Sequence, residues 1–232
     1  MPGGEINQAF IIHTRPYRDS SLLVDMFTAE QGMLRAVVRG ARGTSKGGRL
    51  CQPFHLLRVT ISGKGELKTA FNLEVADAPP VLAGRALFSA MYLNELLLRA
   101  MHQHEPHPEI FAAYQLALEA LAREARAEGV LRQFELILLQ DLGYGLDLAS
   151  DANGDAIKAG IGYSFEPEQG LVPGQAGQVS GFRGEVLLQI AAGDYTSDAV
   201  RGQAKALFHK ALLPLIGPQP LASRKLFGSG QA

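Results

Sequence analysis

Hydrophobic positions along this chain change period once, near residue 78. Before that point they come in short runs: Gln8–Tyr17, Leu22–Phe27, Met33–Val38, Phe54–Ser62 and Leu67–Ala76. Turn-forming stretches such as Glu30-Gln31-Gly32 and Gly63-Lys64-Gly65 separate them. In the fourth run Phe54, Leu56, Arg58, Thr60 and Ser62 alternate with His55, Leu57, Val59 and Ile61, the two-residue period of a strand with one buried face. Five short strands joined by glycine-rich turns predict a small closed or nearly closed barrel, because closure leaves no exposed edge.

Ala78-Pro79-Pro80 ends this pattern, and helical spacing takes over. Leu87, Met91, Leu97 (or Asn94) and Met101, flanked by Phe88 and Leu98, predict a first helix. A second is expected over about residues 108–127, with Phe111, Leu116, Leu118 and Leu121 among its apolar positions. The third, about 130–142, is apolar on most sides and so central; Gly143-Tyr144-Gly145 stops it. Residues 147–181, rich in Gly, Asp, Ser and Ala, predict an irregular segment with room for a hairpin, and a last helix should run from 198 to 213 and end before Pro214. The fold class is therefore α+β: an all-β barrel over residues 1–78, then a mainly α-helical domain over 79–232.

Composition adds exclusions. Hydrophobic residues make up 47% of the chain, enough for a core, and the single cysteine, Cys51, rules out an internal disulfide and any multi-cysteine zinc site. No apolar stretch reaches membrane-spanning length and the N-terminus lacks the pattern of a signal peptide, so a cytoplasmic location away from membranes is expected. The formal net charge of −1 conceals an asymmetry: over residues 33–68 eight Lys and Arg face only Glu66, a balance of +7. Such a field attracts polyanions. Arg39, Arg42, Lys46 and Arg49 lie in or beside the glycine-rich GARGTSKGGR, where long cationic side chains can follow an irregular phosphate backbone.

Other chemistry finds little support. There is no P-loop, GxSxG or HExxH, so no enzyme is expected. His102, His104 and His107 with Glu105 and Glu109 straddle a helix end interrupted by two prolines and would not share a face as metal ligands. Asp147–Asp155 spaces carboxylates as a calcium loop does, but the twelfth residue counted from Asp151 is Gly162 rather than Glu. Two further readings remain: an OB-type module of RNA metabolism, and a metal-dependent hydrolase built on the histidine and aspartate clusters.

Several motifs carry a family resemblance. Ala9-Phe10-Ile11-Ile12-His13-Thr14-Arg15-Pro16 with Asp19-Ser20-Ser21-Leu22, then Val38-Arg39-Gly40-Ala41-Arg42 with Gln52-Pro53-Phe54, are similar to the N-terminal signature of the RecO family of bacterial recombination mediators. Tyr92-Leu93-Asn94-Glu95-Leu96-Leu97, Phe134-Glu135-Leu136, Leu142-Gly143-Tyr144-Gly145 and the ending Leu221-Ala222-Ser223-Arg224-Lys225-Leu226-Phe227 resemble its helical part. The resemblance spans about residues 8–227.

It implies an oligonucleotide-binding (OB) barrel and a helical domain. The implied activities are binding of single- and double-stranded DNA, strand annealing, and help in loading RecA onto DNA coated by single-strand binding protein. RecR and the acidic C-terminal tail of single-strand binding protein are the implied partners, and a nucleoid-associated cytoplasmic place follows. OB barrels bind through strands 2–3 and the loops between strands 1–2 and 4–5, which adds Arg15, Arg18, Arg35, Lys64 and Lys68 to the DNA-binding set. Tyr17 is the one base-stacking candidate; of Tyr17, Phe10, Phe27 and Phe54, at least two are expected to fill the barrel. The resemblance places the partner's tail at Arg132, with Phe134 shaping the pocket. Many members carry a four-cysteine zinc site after the LGY motif; here Asp147–Gly154 and the stretch near Val172–Ala176 hold no cysteine, so no cofactor or metal is expected.

Overall fold

The computed structural model describes residues 4–42, 46–123, 126–174 and 181–227. The chain forms two compact units, Met1–Arg123 with Leu221–Ala232, and Glu124–Pro220.

In the first unit β1 (Glu5–Tyr17), β2 (Ser21–Thr28), β3 (Gly32–Val38), β4 (Leu56–Ser62) and β5 (Leu67–Val75) close a barrel in the order β1-β2-β3-β5-β4. Every pairing is antiparallel except β3 with β5. The strand pattern predicts such a closed barrel, and the family resemblance implies its OB arrangement. Ala9, Ile11, Val24, Met26, Leu34, Ala36, Leu57, Val59 and Ile61 fill the interior. Between β3 and β4 the short α1 (Lys46–Leu50) occupies part of the expected glycine-rich loop. Leu50 of this helix packs against the barrel's interior cluster, which includes the flanking Ala41 and Cys51. Burial pushes the Cys51 thiol up to about 11, which leaves it a protonated core side chain.

Phe10 and Phe27 are buried, but not inside the barrel as expected. They alternate with the interior residues and so stand on its outer wall. There they meet Phe111 and Tyr114 of α3 (Pro108–Arg123), with ring centroids 5.0–5.4 Å apart for the three nearest pairs. Tyr114 donates its hydroxyl to Asn94 Oδ1 at 2.5 Å, and Asn94 donates to the Ile12 carbonyl at 2.9 Å, which fastens α2 (Gly84–Ala100) and α3 to the wall. Both faces of β1 and β2 are covered in this stretch, the reason Ala9–Ile12 reads as a continuous apolar run.

The buried line of α2 is rotated from the expected stripe: Ala90, Leu93, Asn94 and Leu97 face inward, while Met91 and Leu98 are exposed. Leu116 of α3 is likewise exposed. The 3-10 turn Ala222–Phe227 returns to α2, where Phe227 packs edge-on against Phe88.

The second unit holds α4 (Glu128–Asp141), a small sheet of β6 (Gly162–Glu166), β7 (Gly170–Pro173) and β8 (Phe182–Arg183), α5 (Gly184–Ala191) and α6 (Asp198–Ile216). The expected hairpin within 147–181 is β6–β7, and α5 has no counterpart in the sequence reading. Helix α6 does not stop before Pro214. It continues to Ile216 and closes at Gly217, whose N–H donates to Leu213. Proline forfeits one backbone hydrogen bond, but buried Leu212 and Ile216 hold the last turn in place.

Candidate nucleic-acid interface

The outer wall of the barrel is apolar and covered near Phe10 and Phe27, and polar beyond. A β-bulge between Ile11 and His13 resets the register, so that His13, Arg15 and Tyr17 of β1 lie opposite Asp25, Leu23 and Ser21 of β2. Asp25 and Leu23 in turn face Arg35 and Val37 of β3, and these face Leu67 and Thr69 of β5. Thus Arg15, Tyr17 and Arg35 share one outward strip, with the β4–β5 hairpin beside it.

At the end of this strip the β1–β2 turn and the segment after β3 are tied together. The Arg42 backbone N–H donates to the Ser20 carbonyl at 3.1 Å, and its Nη1 to the carbonyls of Arg18 (3.1 Å) and Asp19 (3.2 Å). Arg15, Tyr17, Arg18, Arg39 and Arg42 therefore collect at one end of the barrel. Arg15, Arg18 and Arg39 are exposed, and the Arg18 guanidinium stands 5.2 Å from the centroid of the Tyr17 ring.

The remaining cations are distributed differently. Arg49 is exposed on α1 and Lys64 at the tip of the β4–β5 hairpin. Lys68 is half-buried, pairs with interior-facing Ala36, and donates to the Gly63 carbonyl at 3.1 Å; its ammonium closes the hairpin. Lys46 opens α1, and its side chain lies outside the described residues, as do residues 43–45 of the same stretch.

The sequence reading missed two members of the strip. Asp25 lies between Arg35 (Nε to Oδ1, 3.0 Å) and His13 (Nδ1 to Oδ2, 3.5 Å), forming a polar row across three strands. The available signal was strand alternation: counting by two from Arg15, and across the hairpin, puts all three on one face.

In the second unit Arg132 is mostly buried. Its Nη1 lies 2.8 Å from Oε2 of Glu135, which is fully buried, and its guanidinium packs 5.2 Å from the centroid of Phe208 on α6. Phe134 is almost fully buried, so it belongs to the core of the second unit rather than to its surface. Burial, which outweighs the neighbouring Arg132 cation, pushes the Tyr195 hydroxyl up.

In the loop where the resemblance would place cysteines, Asp147 accepts from the N–H groups of Ala149 and Ser150, and Asp151 from those of Asn153 and Asp155. Carboxylates here cap tight turns. Residues 175–176 of the second expected cysteine position lie outside the described residues. Among the described residues no three His, Cys, Asp or Glu side chains gather as metal ligands, and no helix is long and apolar enough to cross a membrane.

Family models cover both halves of the chain: "Recombination protein O N terminal" matches residues 5–79 and "Recombination protein O C terminal" residues 82–189. The chain belongs to the RecO family. A DNA repair protein RecO of Pseudomonas paraeruginosa is 47% identical over 218 residues, 94% of this chain and 92% of the relative. RecO of Stutzerimonas stutzeri is 47% identical over 219 residues with the same coverage, and RecO of Pseudoalteromonas atlantica 42% identical over 230 residues, 98% of this chain and 95% of the relative. Membership in RecO places the chain among DNA repair proteins.

Proposed function

We propose that this chain is a recombination mediator that binds single- and double-stranded DNA on the outer strip of its barrel. It anneals complementary strands and helps load RecA onto DNA coated by single-strand binding protein, working through contacts without a catalytic step. The observation that supports this most is the gathering of Arg15, Arg18, Arg39 and Arg42 at one barrel end, fixed by the three hydrogen bonds from Arg42 to the β1–β2 turn. Flexible cations scattered over a surface bind polyanions weakly; cations held at one end of a rigid barrel can neutralise successive phosphates together. Arg35, Arg49, Lys46, Lys64 and Lys68 complete the set, with Tyr17 as the base-stacking side chain.

The second unit receives the acidic C-terminal tail of single-strand binding protein at Arg132, with buried Phe134 shaping the pocket, and RecR is the other protein partner. A guanidinium suits a terminal carboxylate because it offers two parallel donors. The test is strand annealing with complementary DNA, bare and coated by single-strand binding protein, with the tail present or deleted. Annealing of bare strands and of strands coated by the intact protein, with loss only when the tail is missing, is the expected pattern. Failure to anneal bare strands rejects the mediator reading.

A further inference from the structure

A carboxylate in the middle of a cationic strip needs a reason, because it repels the phosphates the strip would attract. Asp25 is mostly buried, with 13% of its side chain exposed, and it engages Arg35 through Nε alone. That geometry fixes the plane of the guanidinium. The two terminal nitrogens of Arg35 make no hydrogen bond among the described residues, and 41% of the side chain is exposed. His13 closes the other side of the carboxylate at 3.5 Å. An unrestrained arginine loses rotamer freedom when it clamps a phosphate; one already held by Nε has lost much of it before binding.

We propose that Asp25 is a positioning residue of the DNA site, holding Arg35 so that its two terminal nitrogens face a single backbone phosphate. Its own charge is offset by Arg35 within the row, so the strip keeps its attraction while gaining a fixed donor pair. This inference rests on the reading of the barrel strip as the DNA surface. It adds a role for an acidic residue that charge counting alone would set against binding.

The two effects of Asp25 have opposite signs, which makes the test decisive. Asp25→Asn keeps the shape and removes a negative charge; electrostatics alone then predicts tighter binding. The proposal expects weaker binding of an oligothymidylate, by about threefold to tenfold at fixed salt, with an unchanged thermal melt. It further expects Asp25→Asn to have no effect in the Arg35→Ala background, because the carboxylate acts through that guanidinium. Equal or tighter binding by Asp25→Asn overturns the proposal, and so does a loss that persists without Arg35, which would mean a role in the fold. Arg15→Ala and Arg39→Ala separate the two levels. If these weaken binding while Asp25→Asn does not, the DNA surface stands and only the positioning role falls; if neither they nor Arg35→Ala weaken it, both fall.

Discussion

Arg132 holds Glu135 one turn further along α4, guanidinium to carboxylate at 2.8 Å, with the carboxylate side chain wholly withdrawn from solvent. A charge so deeply buried is tolerated when a cation accompanies it, and removing that cation costs far more than the pair gains. Arg132→Ala is therefore expected to destabilise the second unit by about 3–5 kcal/mol, part of it from lost packing on Phe208. Adding Glu135→Leu to Arg132→Ala should recover much of that loss in a denaturant titration. Absence of recovery would mean that the pair is not what makes Arg132 structurally important.

The same relationship dictates how the tail-binding role has to be tested. Arg132→Lys retains a cation for Glu135 but loses the planar fork. It should lower affinity for the tail peptide, by about tenfold, with a melting temperature close to that of the unmodified protein and unchanged binding of bare single-stranded DNA. Unchanged peptide affinity places the tail elsewhere.

Salt sensitivity tests the barrel strip directly. Each phosphate contact on single strands contributes about −0.7 to the slope of log affinity against log salt. Arg39 is exposed, so Arg39→Ala should reduce that slope by about one contact without lowering the melting temperature. Arg42→Ala should do more, because its guanidinium also ties down the β1–β2 turn that carries Arg18. Identical effects from the two substitutions would argue against that turn being held for binding.

Much of this was legible in the chain and some was not, for physical reasons that differ by residue. The alternation of Leu57, Val59 and Ile61 gives β4 its buried face directly, and five such runs with glycine turns give the barrel. Phe10 and Phe27 could not be placed by pattern, since a strand covered on both faces loses its alternation; only α3 decides which side they occupy. Met91 and Leu98 drew the helix stripe toward apolar residues that the fold leaves exposed. Pro214 masked the end of α6 because burial of Ile216 outweighs one missing hydrogen bond. At the candidate site the cations were visible as a charge excess. That Asp25 lies among them follows from alternation counted across the β1–β2 hairpin, whereas the offset of this strip from the Phe10 stretch depends on a bulge at Ile12 that local composition does not announce.

Gly32 provides a test of how the barrel is coupled to the α2–α3 loop. Its φ of 69° lies in the left-handed region, and a Cβ there would collide with the Glu105 carbonyl oxygen. Gly40 has a similar φ of 62° but open space around it. Gly40→Ala should cost about 1 kcal/mol of strain and Gly32→Ala roughly 3 kcal/mol or more, because it adds a backbone clash. Equal costs in thermal melts would mean that the loop yields freely.

The last expectation concerns acid and the returning C-terminal segment. Glu95 of α2 accepts from the N–H groups of Ala222 and Ser223, each at 2.8 Å, and from the Ser223 hydroxyl at 2.7 Å; Arg99 lies 2.9 Å away. Burial pushes the Glu95 carboxyl up, but the Ser223 and Ala222 donors and the Arg99 cation together hold it below its ordinary value. A carboxyl whose folded pKa is depressed contributes stability that is present above its unfolded pKa and lost as pH falls through the folded one. Docking of Leu221–Phe227 should therefore be constant from neutral pH down to about 5 and weaken progressively below about 4. Glu95→Gln, which keeps an acceptor oxygen without charge, should loosen the segment at neutral pH and remove the acid dependence. Amide exchange at Ser223, followed from pH 7 to pH 3 and corrected for intrinsic rates, reads both effects; an acid-dependent loosening that survives in Glu95→Gln would assign the titration to another group.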